Sequence, residues 1–172
     1  TRNRTLKALN EADVLGLAHL LAAGNPAPYG GVVRLPGLEV VTASPELFLR
    51  RNGDRVSSSP IKGTLPLHAD PDDLRASDKD VAENIMIVDL VRNDLGRIAH
   101  TGSVTVPELL IVRPAPGVWH LVSTVAAQVP ADLPTAGLLA AAFPPASVTG
   151  TPKDRARQLL SVWEPDRRGV YC

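Results

Sequence analysis

The sequence predicts an α+β fold in which groups of strands are set beside helices. Three observations carry this. Short runs rich in β-branched residues recur as GGVVRL, LEVVTAS, SVTV, ELLIVR and WHLVSTVAAQV. Tight-turn signals, Pro36-Gly37 and Asn52-Gly53, separate neighbouring extended runs. One long helical segment interrupts these groups of strands instead of alternating with them, which argues against regular βαβ units.

The elements follow in order. Leu6, Leu9, Leu17, Leu20 and Leu21 recur at helical spacing across residues 5–23, and Gly24 is a stop signal. Residues 30–35 and 38–44 read as two strands joined at Pro36-Gly37, and LFLRRNGDRVSSS as a hairpin. Asp70-Pro71 opens a short polar helix. A long helix is expected from Ser77 to Leu95, with Ser77 and Asp80 resembling a capping box and Gly96 ending it. LPTAGLLAAAF, residues 133–143, forms a short helix that Pro144-Pro145 breaks. A last helix starts with Thr151 as N-cap, Pro152 at N1 and Asp154 at N3, and runs to about Trp163.

Composition narrows the function. With 172 residues, 44% of them hydrophobic, the chain is long enough for a packed core, built mainly from Leu, Val, Ile and Ala because aromatics are few. Eighteen basic and 18 acidic residues cancel, leaving no field to hold a phosphate backbone, so no nucleic-acid partner is expected. No apolar run approaches the roughly 20 residues of a membrane span, and no membrane association is expected. TRNRTLKALN has no apolar region of signal-peptide type, and the expected location is cytoplasmic. Cys172 is the single cysteine, which excludes an internal disulfide and a cysteine-based zinc site.

The long helix is the most informative stretch. In KDVAENIMIVDLVRND, Asp80, Glu83 and Asp94 fall in one sector, while apolar residues occupy nearly every other direction, the pattern of a buried helix. Buried carboxylates need a partner, a hydrogen bond or a cation. Asp80 reads as a capping acid, and Asp89 with Arg92 as an ordinary i,i+3 pair. Glu83 lies among Ala82, Ile85, Met86 and Ile87 without an obvious local cation, and it weighs evenly between an acid that caps the helix or pairs with a basic neighbour and an oxygen ligand for Mg²⁺.

Other candidates are scattered. Lys62, in SSSPIKGT, has no charged neighbour. Glu46, in SPELF, reads first as a turn carboxylate. His120 shares a strand face with Val118, Val122 and Thr124, where a histidine is more often a satisfied core residue than a catalyst. SVTGTPK leads into a helix N-terminus, equally a cap or an anion-friendly site for a phosphate or carboxylate. It lacks the spacing of a P-loop.

Taken together, SPELFL, PIKGT, ENIMIVDLVRNDLGR, GSVTVPELL, VWHLVST, FPPASVTGTPKDRA and EPDRRGVYC resemble the chorismate-utilising enzymes, in that family's order, from about residue 30 onward. Lysine in PIKGT resembles the aminodeoxychorismate synthase branch; anthranilate and salicylate synthases typically carry alanine there. The resemblance implies amination of chorismate to 4-amino-4-deoxychorismate, on the route to 4-aminobenzoate and folate. It implies Lys62 as nucleophile, Glu46 as the acid that protonates the departing hydroxyl, and His120 as an active-site histidine. It implies antiparallel, sandwich-like β-sheets flanked by helices, and it implies that Gly63, Thr64, Thr149, Gly150 and Lys153 contact substrate. Glu83 becomes a Mg²⁺ ligand, with Asp80 beside it in the outer sphere. A lysine nucleophile must be neutral, and the uncharged setting of PIKGT suits that.

The resemblance also implies a glutamine amidotransferase partner supplying ammonia. It further implies that residues 1–172 form a single, partial catalytic domain, an internal fragment that lacks the family's N-terminal region and its last strands. Such a fragment is expected to be inactive alone, because a second glutamate pair and an arginine-bearing strand follow in the family. Two alternatives remain: an anthranilate synthase or other chorismate enzyme, and a catalytically incompetent piece that only docks the amidotransferase.

Overall fold

The computed structural model describes residues 13–164, so the expected helical turns at Leu6 and Leu9, and all but the first residue of EPDRRGVYC, lie outside the described residues. Where the sequence suggests one partial domain, contacts divide the chain into two compact units, one ending at Glu46 and one starting at Leu47.

The first unit holds helix α1 (Val14–Gly24) and strands β1 (Tyr29–Leu35) and β2 (Leu38–Ser44). Asp13 caps α1, its carboxylate accepting from the Gly16 N–H at 2.9 Å. The strands pair antiparallel from Tyr29↔Ser44 to Leu35↔Leu38, leaving Pro36-Gly37 as the loop. Gly37 has φ 75°, which suits Pro-Gly at the centre of a type II turn.

The second unit is a five-stranded antiparallel sheet with helices. Its strands are β3 (Leu47–Asn52), β4 (Arg55–Ser59), β5 (Ile61–Pro66), β6 (Thr105–Ala115) and β7 (Val118–Gln128). The Asn52-Gly53 signal places the first hairpin, but the two loop residues are Gly53 and Asp54, since Asn52 still pairs with Arg55. Gly53 takes φ 62° at the first loop position, where a type II′ turn needs glycine.

Strand β7 organises the sheet. One edge pairs with β4 through Val125–Gln128 and with β5 through Val118–Val122; the other edge pairs with β6. β4 and β5 therefore lie end to end, divided at Pro60, which has no N–H for the ladder. The predicted pieces SVTV and ELLIVR are one bulged strand, β6.

Four further helices pack here with the short segment α5 (Ala146–Thr149). They are α2 (Asp72–Ala76), α3 (Asp78–Gly96), α4 (Thr135–Ala142) and α6 (Lys153–Trp163). Ser77 caps α3, its hydroxyl accepting from the Asp80 N–H at 3.2 Å, as its position predicts. Helix α6 starts one residue later than expected: Pro152 is its N-cap, and no side chain caps it, so Thr151 does not act as the cap.

Helix α3 is not buried all round. Asn84, Ile87, Val88, Asp94 and Leu95 are buried, while Ile85 and Met86 are about half exposed, at 48% and 51%. Val88 and Leu95 join Val56, Val125, Ala127, Val129 and Leu138 in the core. These branched and small side chains fill the layer between α3 and the face of β7 that carries Leu121, Ser123 and Val125.

Candidate active site

An open cavity of about 330 Å³ lies within the second unit, between β5, α3 and the segment after α4. Lys62, Glu83, Ile87, Leu90, Thr149 and Gly150 are among its lining residues. Four of the sequence-predicted site residues, from three distant stretches, therefore meet in one place.

A bulge presents Lys62. Ile61 pairs with Val122 and Thr64 with His120, so Lys62 and Gly63 together face the single residue Leu121. The bulge turns Lys62 toward α3. Among the described residues its ammonium has no hydrogen bond or ion pair. Gly63 makes the bulge feasible: it sits at φ 92°, and a Cβ there would lie 3.0 Å from Asp80 Cβ and 3.2 Å from Leu74 Cδ2. Gly63 and Asp80 thus explain each other as a close strand–helix contact.

Glu83 does have a nearby cation, contrary to the sequence reading. Lys79 Nζ stands 3.8 Å from Glu83 Oε1, one helical turn away. Both side chains are substantially exposed and the separation is long, so this pair is worth little and leaves the carboxylate available. Arg92 pairs with Asp89 at 3.2 Å as predicted.

The cavity does not gather every candidate. Side chains alternate along β7, and Ser123 faces α3 through its bond to Asn84, so His120 lies on the opposite face. There the Thr64 hydroxyl contacts His120 Nδ1 at 2.9 Å, a role for Thr64 as an imidazole partner. Burial pushes the His120 pKa below the ordinary 6.5. Glu46 closes the first unit; its N–H donates to Ser44 Oγ at 3.3 Å, the local turn expected after Ser44-Pro45.

Lys153 differs from the expectation of a substrate contact. It does not line this cavity; its side chain is only 11% exposed, and its ammonium donates to Asp94 Oδ2 at 2.6 Å and to the Ala142 carbonyl at 3.1 Å. Burial pushes the Asp94 carboxyl above its usual range, against the opposing pull of Lys153.

Sequence reading missed Asn84 and Ser123. Asn84 Nδ2 donates to the Leu121 carbonyl at 3.0 Å, and Ser123 Oγ donates to Asn84 Oδ1 at 2.5 Å. The Leu110 N–H donates to Ser123 Oγ at 2.9 Å, holding a leucine at φ 55° in the β6 bulge. A signal existed: Asn84 shares the stripe of Ile87, Val88, Val91 and Leu95, where a polar residue needs a buried partner.

Among the described residues no cluster of three or more His, Cys, Asp or Glu forms a metal site. Glu83 nevertheless fits the chemistry of Mg²⁺, which binds through one or two carboxylates, substrate oxygens and retained waters.

An amine, a carboxylate and a glycine-containing turn line one open cavity of an α+β unit, of a size that suits a small molecule. The comparisons narrow this class. The sequence matches the chorismate binding enzyme family over residues 3–172, and the chain belongs to that family. Aminodeoxychorismate synthase component 1 of Klebsiella aerogenes is 51% identical over 160 residues, covering 88% of this chain and 35% of the relative. Anthranilate synthase component 1 1 of Haloarcula marismortui is 42% identical, covering 86% and 32%. In structure, anthranilate synthase component I from Streptococcus pneumoniae superposes with a TM-score of 0.83 at 32% identity, covering 95% of this chain and 37% of the other. The chain therefore spans about a third of the length of the relatives it matches. No described helix is long and apolar enough to cross a membrane.

Proposed function

We propose that the protein carrying these residues aminates chorismate to 4-amino-4-deoxychorismate, with Lys62 as the covalent nucleophile. The observation that carries the reading is the Lys62 amine, without a hydrogen bond or ion pair among the described residues, in a cavity that also holds Glu83 and the Thr149-Gly150 turn. A lysine engaged by a carboxylate would be held charged and unreactive.

In this reading the neutral Lys62 Nζ forms a bond to C2 of the ring. Both ring double bonds shift round toward C4, and the C4 hydroxyl leaves as water after taking a proton from a general acid. Ammonia then attacks C4, the two double bonds shift back, and the C2–N bond breaks to release Lys62. Gly150 offers close backbone approach to a substrate carboxylate, and the Thr149 hydroxyl, which here donates to the Pro145 carbonyl at 3.3 Å, would turn to meet it. Glu83 would hold Mg²⁺, with Asp80 one turn earlier on α3. When bound, the ion would neutralise carboxylate charge and orient the ring. The geometry routes no step through His120. Ammonia would come from a glutamine amidotransferase, in keeping with the "component 1" in the relatives' names.

Anthranilate formation is the second reading, favoured by the structural match to an anthranilate synthase. It leaves the free amine of Lys62 without a task. Intact-protein mass spectrometry on the full-length protein, with chorismate and without ammonia, separates the two. The proposal expects an adduct that disappears in Lys62→Ala. Unchanged product formation in that variant would overturn it.

A further inference from the structure

Thr149 and Gly150 stand in a segment that leaves the core at the end of α4 and returns at the start of α6. Nothing regular spans it except the four residues of α5. The segment's own bonds are local, the Val148 N–H and the Thr149 hydroxyl donating to the Pro145 carbonyl at 3.0 and 3.3 Å, so its distance from α3 depends on how its ends are held. Lys153 supplies the hold: its bond to the Ala142 carbonyl joins the two ends, 11 residues apart, and its bond to Asp94 fastens them to α3, 59 residues away in sequence. Lys153 and Asp94 side chains are 11% and 12% exposed, so the pair is largely shielded from water and salt.

The same helix that carries Asp94 also carries Glu83, Ile87 and Leu90 on the cavity. Leu90 and Thr151 line this cavity and also a second, more polar one beside Asp94 and Lys153. The ion pair therefore adjoins the part of the cavity lined by Leu90 and Thr151.

We propose that Lys153 and Asp94 are positioning residues: their clasp, closed on the Ala142 carbonyl, sets how far the Thr149-Gly150 turn stands from α3 and so the width of the substrate cavity. The assignment of that cavity to chorismate rests on the function proposed above, whereas the clasp itself rests on the contacts alone.

Hydrogen exchange and steady-state kinetics on the full-length protein test this together. Lys153→Met keeps the stem and removes both bonds. In it, amides of residues 143–152 should exchange faster by about tenfold or more while β7 amides keep their rates. The KM for chorismate should rise about tenfold, with kcat within about threefold of the parent. Lys153→Arg, which can reach both acceptors, should restore both. If Lys153→Met does not fold, Asp94→Asn, which keeps an acceptor oxygen but loses the charge, should show the same pattern in reduced form. Unchanged exchange over residues 143–152 in these variants would overturn the clasp. A kcat loss of about a hundredfold at constant KM would also overturn it, by showing that Lys153 acts on the reacting atoms. If the parent does not turn over chorismate, the proposed function fails, and the exchange measurement still decides the clasp.

Discussion

Ser123 of β7 donates a 2.5 Å hydrogen bond to Asn84 of α3, across 39 residues of sequence, and both side chains are buried. Asn84 also donates to the Leu121 carbonyl, so it fixes both the height and the rotation of α3 on the sheet. Glu83, the next residue back, owes its place on the cavity to that anchor.

Asn84→Ala should therefore be costly. It leaves the Ser123 hydroxyl and the Leu121 carbonyl buried without their partner, a penalty of about 2–4 kcal/mol. The midpoint of urea unfolding measures it. A loss under about 0.5 kcal/mol would mean that water replaces the amide freely.

Gly63→Ala should destabilise by about 1–3 kcal/mol, because φ 92° is strained for any other residue and the new methyl meets Asp80. The same change pushes α3 from β5, so chorismate binding should weaken in parallel. Wild-type stability in this variant would show that the bulge relaxes at little cost.

Glu83→Gln should leave stability within about 0.5 kcal/mol of the parent, since its ion pair with Lys79 is long and exposed. Mg²⁺ affinity in the presence of chorismate should fall by about tenfold or more. Lys79→Ala should not produce that fall. Calorimetry on the full-length protein measures both, and equal Mg²⁺ affinity in Glu83→Gln would overturn its proposed role as a metal ligand.

His120 should titrate below 6.5, because burial disfavours its charged form. The sign follows from linkage: between its folded pKa and 6.5 the unfolded chain binds more protons. The stability contributed by neutral His120 is complete above pH 6.5 and is lost as pH falls through the folded pKa. NMR of the imidazole protons gives the midpoint, and His120→Gln should flatten the stability profile in that window. A midpoint at or above 6.5 would contradict the buried setting.

The local chain was legible. Ser77 and Asp80 marked the start of α3, Pro36-Gly37 and Asn52-Gly53 marked two hairpins, and β-branched runs marked the strands. Lys62 stood out because its neighbours are uncharged, and among the described residues its amine has no hydrogen bond or ion pair. Such features depend on residues a few positions apart, through turn dihedrals, capping and side-chain period. The sequence by itself thus determined most of the elements and the family, but not strand β5 or the joining of SVTV and ELLIVR into β6.

Only the tertiary structure decided how the candidates divide. Lys153 looked like a ligand residue until Asp94, 59 positions away, proved to hold its ammonium. The resemblance put His120 in one active site with Lys62, whereas the bulge at Lys62-Gly63 and the alternation of β7 put them on different faces. Asn84 passed unnoticed because its partners are 37 and 39 residues distant. A buried polar group takes whichever partner packing brings within 3 Å or so, and spacing along the chain does not encode that choice.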